Sequence, residues 1–182
     1  MSPAIEDEAA PHMRRAILLA VALVGCQSSR PDPAAVVERF YATTTASRVS
    51  GAPTPEQLAA LAPYISDSLR GLLAAARRRH DVDMARSPDD KPSFTEGDLF
   101  SSLFEGPTTV RVAADTLRGS SHAVTVRMTH RGADPAITWS DVAIVTAEHG
   151  RWVIDDIEYG GTWDFAPRGS LRAQLASGLG AE

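Results

Sequence analysis

Apolar positions recur at helical spacing through the first half of the chain and at alternating spacing through much of the second half. Ala34 to Ser47 carries Val37, Phe40, Tyr41 and Thr44 on one face, the pattern of an amphipathic helix. Asp32 is placed to cap it, and Pro33 fits the first helical position, where a missing N–H costs nothing. Arg48 to Pro53 is a Gly/Pro/Ser loop. Thr54-Pro55-Glu56-Gln57 has the form of a capping box and starts a short helix with Leu58 and Leu61 inward, ended by Pro63. Ser66 opens a third helix to about His80, with Leu69, Leu72 and Leu73 as its stripe. Arg77-Arg78-Arg79-His80 close it and suit the negative end of the helix dipole. Asp81 to Ser93 is charged and turn-rich and reads as a mobile loop. Its aspartates lack the spacing and the closing glutamate of a calcium loop. Asp98 to Phe104 reads as a short apolar helix or turn under a sheet.

From Thr108 the period becomes two. Val110, Val112 and Ala114 alternate with polar neighbours, and so do Val124, Val126 and Met128. Ile137 to Ala147 and Arg151 to Tyr159 are two further strands. Gly119-Ser120, Arg131 to Asp134 and His149-Gly150 supply the turns, so the four strands form an antiparallel meander. Trp163 to Glu182 ends in a weak amphipathic helix with Leu171, Leu175 and Leu179. The expected class is α+β, with N-terminal helices packed on a curved antiparallel sheet of about four strands.

The N-terminus departs from both periods. Met13 to Cys26 reads MRRAILLAVALVGC: two arginines, then an apolar run too short to span a bilayer, then Leu23-Val24-Gly25-Cys26. This ending resembles the bacterial lipobox, in which a signal peptidase cuts after the small residue and the cysteine thiol takes a diacylglycerol. The resemblance implies cleavage between Gly25 and Cys26 and lipidation of Cys26. The organisation expected is an acidic extension at 1–12 ahead of the true start, a signal peptide at 13–25, a polar tether at 26–33 and one domain at 34–182. Gln27 after the cysteine, where aspartate would retain the protein at the inner membrane, points to the outer membrane.

The formal charge of −5 makes nucleic acid an unsuitable partner, because phosphate neutralisation needs a basic face. A single cysteine excludes an internal disulfide and a cysteine metal site. No cofactor motif is present: the chain has no Walker sequence, no Rossmann glycines and no nucleophile elbow. The partners expected are the membrane, through the N-terminal lipid, and beyond it an envelope protein or a small ligand.

The order of Val36 to Tyr41, Leu61 to Ser66, Asp98 to Gly106 and the Trp152 to Tyr159 strand resembles the lipoproteins of domain of unknown function family 3828, within the nuclear transport factor 2-like superfamily. The resemblance implies a cone-shaped fold with helices in the concave side of the sheet and a cavity at its open end. Tyr41, Arg127, Trp139, Asp141, Asp155 and Tyr159 are the candidate lining residues. Some members of that superfamily are isomerases or dehydratases that use an aspartate base, so Asp141 or Asp155 is the base of an alternative, enzymatic reading. Asp155 and Asp156, adjacent in a strand, are expected on opposite faces. His122 and His130 are expected as solvated strand-end residues, too far apart for one metal. The preferred reading is a non-catalytic, lipid-anchored binding domain. A cavity filled by Phe40, Tyr41, Phe100 and Phe104 would favour it, and a deep apolar cavity ending in a desolvated carboxylate would favour the enzyme.

Overall fold

The computed structural model describes residues 32–87 and 89–180. The cleavage site, Cys26 and most of the tether lie outside the described residues. Within them the elements are α1 (Pro33–Ala46), α2 (Pro55–Leu61), α3 (Asp67–Arg86), β1 (Thr109–Arg118), β2 (Ser121–His130), β3 (Ile137–Glu148), β4 (Arg151–Glu158) and α4 (Leu171–Gly180). The strands form one curved antiparallel sheet in the order β1-β2-β3-β4, so the class is α+β and the meander is as the turn residues predict.

Helix starts follow their capping chemistry. The Asp32 carboxylate accepts the Ala34 N–H at 3.1 Å, with Pro33 behind it. α1 thus takes in the last residue assigned to the tether. Thr54 and Gln57 exchange hydrogen bonds in a reciprocal box at the head of α2. Ser66 caps α3 by accepting the Leu69 N–H at 3.0 Å.

α3 runs past His80 to Arg86, so part of the segment expected to be a loop is helix. The charges that read as loop form i,i+4 pairs on its solvent face: Arg77 with Asp81 at 2.9 Å and Arg79 with Asp83 at 2.8 Å. Asp83 also accepts the Ser93 N–H at 3.1 Å, which folds the following segment back onto the helix. The basic run therefore sits in mid-helix, away from the dipole end.

Two irregularities break the strand alternation. A register shift between Val112 and Ala114 turns Ala114 out of the core and leaves the rest of β1 exposed. A second shift, at Ile144/Val145 opposite β4, makes Asp155 the extra residue, so Ile154 and Ile157 both face the core. Asp155 and Asp156 consequently share a partner instead of diverging. Arg172 donates to Asp155 from its guanidinium at 3.0 Å and to Asp156 from its backbone N–H at 3.0 Å. Ser66 donates to the same Asp155 oxygen at 2.6 Å, and the adjoining backbone pairs with Ile154. The start of α3, the start of α4 and the bulge of β4 are thus one polar knot.

The core lies between the sheet and the helices. Val37, Phe40 and Tyr41 of α1, Leu69 and Leu73 of α3, and Leu171 and Leu175 of α4 meet Val124, Val126, Met128, Ile154 and Ile157. Ser66 is buried and joins α3 to this knot. Ser66→Ala should lower the unfolding free energy by about 1–2 kcal/mol through loss of cap and knot together. Urea denaturation followed by tryptophan fluorescence measures it, and an unchanged midpoint would show that the knot contributes nothing.

Candidate functional site

The segment from Asp98 to Phe104 is a chain of turns in which Leu99, Phe100 and Leu103 point into the core. Turns expose backbone polar groups, and burying them requires partners. Asp98 supplies the first: its carboxylate accepts the Phe100 N–H at 2.7 Å, and its own N–H donates to the Phe104 carbonyl at 2.8 Å. The Phe100 carbonyl accepts the Tyr41 hydroxyl at 3.0 Å. The Leu99 carbonyl lies 2.7 Å from the Tyr159 hydroxyl, as does the Gln174 side-chain amide.

The remaining groups converge on Asp141, which is fully buried on β3. One oxygen accepts the Ser102 N–H at 2.9 Å and the Trp139 Nε1–H at 3.0 Å. The other accepts the Gly160 N–H at 2.8 Å and the Ser102 hydroxyl. The same hydroxyl oxygen accepts the Gly161 N–H at 3.0 Å. Two glycines in succession permit this approach. A Cβ on Gly160 would lie 2.0 Å from the Ser140 carbonyl oxygen, and one on Gly161 would lie 2.8 Å from the Ser102 Cβ.

The candidate residues therefore divide. Tyr41, Trp139, Asp141 and Tyr159 come together around the 98–104 turn. Asp155 belongs to the knot between α3 and α4. Arg127 is exposed on the outer face, directly across from Arg111. His122 and His130 are not merely solvated. His122 lies 2.8 Å from Asp115 and edge-on to Trp152, and His130 lies 2.8 Å from the Gly106 carbonyl. Asp98 joins the site although its sequence context marks it only as the polar head of an apolar run.

The chemistry of the cluster is that of donors already spent. With four hydrogen bonds to its carboxylate, Asp141 has no free lone pair aimed at a substrate. Burial raises the Tyr41 hydroxyl well above its ordinary titration range, and the charges of Asp141 and Asp98 add to this. Tyr159 is raised for the same reasons, burial first. Both stay protonated and donate. Asp98 is the carboxyl pushed toward neutrality, to about 6, chiefly by burial and less by the charge of Asp141, while the Phe100 N–H and Ser101 hold it down.

Among the described residues, aromatic side chains occupy the concave side. Phe40 and Phe100 fill it, edge to face at 5.1 Å, with Tyr41 beside them. Phe104 does not join them and is 56% exposed. Openings at the margin include a groove of ≈ 410 Å³ beside Asp98 and Arg48, one of ≈ 750 Å³ between α1 and β1, one of ≈ 530 Å³ at Phe94 and Arg168, and a pocket of ≈ 250 Å³ at Trp163 and Phe165. Among the described residues, one trio of metal-ligating type, Asp67, Glu148 and His149, has its ligand atoms within 4.8 Å. Its members are mutually bonded: Glu148 accepts the Asp67 N–H at 3.0 Å, and Asp67 also pairs with Arg70. It therefore serves the head of α3 as a cap.

Fold and site together define a small α+β domain with a filled interior and aromatic-rimmed openings at its edge. The chain is similar to the uncharacterized lipoprotein YbjP of Escherichia coli (strain K12), 28% identical over 152 residues, which span 82% of this chain and 78% of the relative. This likeness supports a bacterial lipoprotein. No family profile matches the chain, and no solved structure matches it. No helix among the described residues is long and apolar enough to cross a membrane.

Two outcomes test the site. Asp141→Ala leaves the buried N–H groups of Ser102 and Trp139, and the part-buried one of Gly160, without their acceptor, and should cost about 3–5 kcal/mol by urea denaturation. A loss under about 1 kcal/mol would mean the clamp is dispensable. Asp98 has a folded pKa above its unfolded one, so the native state holds the extra proton between about pH 4 and 6. Its contribution to stability must fall as pH rises through that window. Asp98→Asn should remove this component and stabilise the protein at pH 7 by roughly 1–2 kcal/mol. The difference between wild-type and variant midpoints from pH 4 to 7 reads it, and a flat difference would contradict the shift.

Proposed function

We propose that this chain is a lipid-anchored lipoprotein of the bacterial envelope whose cone-shaped, nuclear transport factor 2-like domain is a non-catalytic binding module facing the periplasm. The anchor is diacylglycerol on Cys26 after cleavage behind Gly25, and Gln27 directs the protein to the outer membrane. Each buried CH₂ of a lipid chain contributes about 0.8 kcal/mol, so more than one chain holds the domain stably without a spanning helix. The likeness to a protein named as a lipoprotein supports the anchor.

The observation that carries the binding reading is the filled interior. Phe40, Tyr41 and Phe100 occupy the space where a substrate would enter. An enzyme of the isomerase or dehydratase type needs a desolvated carboxylate at the end of an open cavity. Asp141 is saturated by four donors, and Asp155 is paired with Arg172 and Ser66. Neither of the two bases of the enzymatic reading is free to take a proton.

The anchor has a direct test. The full chain produced in a Gram-negative host should fractionate with membranes, and intact-mass measurement should find an N-terminus at Cys26 carrying acyl chains. Cys26→Ala should abolish both the processing and the added mass. An unprocessed N-terminus with a free thiol in the wild-type product would sink the proposed placement.

A further inference from the structure

The pocket of ≈ 250 Å³ opens between the 98–104 turn and the segment that follows β4. Its lining includes Phe104, Trp163 and Phe165, together with Asp98 and Glu96. Phe104 is 56% exposed and Phe165 is 82% exposed. A single exposed apolar side chain is ordinary, but two phenylalanines and a tryptophan lining one opening are a binding feature.

The structure holds these rings in place. Phe104 lies against Gly97, where a Cβ would come within 2.5 Å of the ring, so any other residue there would push it away. Trp163 is set edge-on against buried Trp139, with centroids 5.9 Å apart, and Phe165 follows at 6.5 Å with its plane tilted by 56°. The loop carrying both is braced by Arg168, whose guanidinium donates to the Gly161 carbonyl at 2.7 Å and the Trp163 carbonyl at 3.1 Å. That cation is committed to backbone oxygens.

The charged side chains that line the pocket, Asp98 and Glu96, are both acidic. Glu96 is paired with Lys91, whereas Asp98 forms no ion pair among the described residues. Aromatic faces carry negative potential and attract cations. An anion would meet Asp98. A neutral apolar ligand would have no use for it. Glu105 and Asp164, both exposed next to the rings, oppose their insertion among anionic lipids. A bare metal ion would find aromatic carbon where it needs oxygen ligands.

We propose that this pocket binds a small, weakly hydrated organic cation, a quaternary or alkylated ammonium group held among Phe104, Trp163 and Phe165 beside Asp98. The proposal rests on the binding-module reading and names its ligand class. The cation could be carried by a free solute or by a choline lipid headgroup, and the two share one chemistry.

Trp163 in the wall makes binding visible. Fluorescence titration of the folded domain with choline should saturate. The neutral isostere 3,3-dimethylbutanol, of the same shape without the charge, should bind about tenfold more weakly or worse. Phe165→Ala, at an exposed position that leaves the core untouched, and Asp98→Asn should each weaken choline binding severalfold. A response to phosphatidylcholine vesicles, with none to phosphatidylglycerol vesicles, would support the same pocket acting on a headgroup. Equal binding of choline and its isostere would overturn the proposal, as would the absence of saturation by both choline and phosphatidylcholine in protein with a normal unfolding midpoint. Those failures leave the binding-module reading standing with another ligand, whereas turnover of a substrate by the domain would sink that reading itself.

Discussion

One buried carboxylate organises this molecule. Asp141 sits fully buried in the middle of β3, and an unpaired charge there would be far too costly to fold. It is tolerated because four donors from three separate segments reach it: the 98–104 turn, its own strand, and the glycine pair after β4. The turn and the glycine pair lie outside the helices and strands. The same carboxylate that would be prohibitive alone is what closes the irregular half of the domain over the sheet.

The consequence reaches the surface. Because Asp141 fixes Ser102 and Gly160, the turn bearing Phe104 and the loop bearing Trp163 and Phe165 face each other across a narrow opening. Asp98 is drawn into the same low-dielectric surroundings, where its charge is poorly solvated and the two tyrosines are kept protonated. A filled core and a rim of held aromatic rings are therefore two results of one arrangement.

A second knot does similar work at the other end. The β4 bulge turns Asp155 toward Ser66 and Arg172, tying the starts of α3 and α4 to the sheet. Bulges re-aim side chains, and here the re-aimed carboxylate is structural. Together the two carboxylates tie the starts of α3 and α4 and the loops around Asp141 to the sheet, while α1 is held through the apolar core.

The elements that the sequence determined by itself are those set by local chemistry. Asp32-Pro33, Thr54 to Gln57 and Ser66 mark helix starts because a cap needs only its own turn. The alternation of Val124, Val126 and Met128, and the Gly-containing hairpin turns, specify strands and their order for the same reason. Tertiary structure alone decided the rest. A bulge depends on the partner strand, so the fate of Ala114 and the meeting of Asp155 and Asp156 at Arg172 could not be read from alternation. The charges along α3 are paired at the local i,i+4 spacing, whereas the bond from the Ser93 N–H to Asp83 depends on the chain folding back on the helix. Asp98 and Ser102 carry no motif; Ser102 matters because the Asp141 carboxylate and the Gly161 N–H that meet it lie 39 and 59 positions away, and Asp98 because burial sets its chemistry.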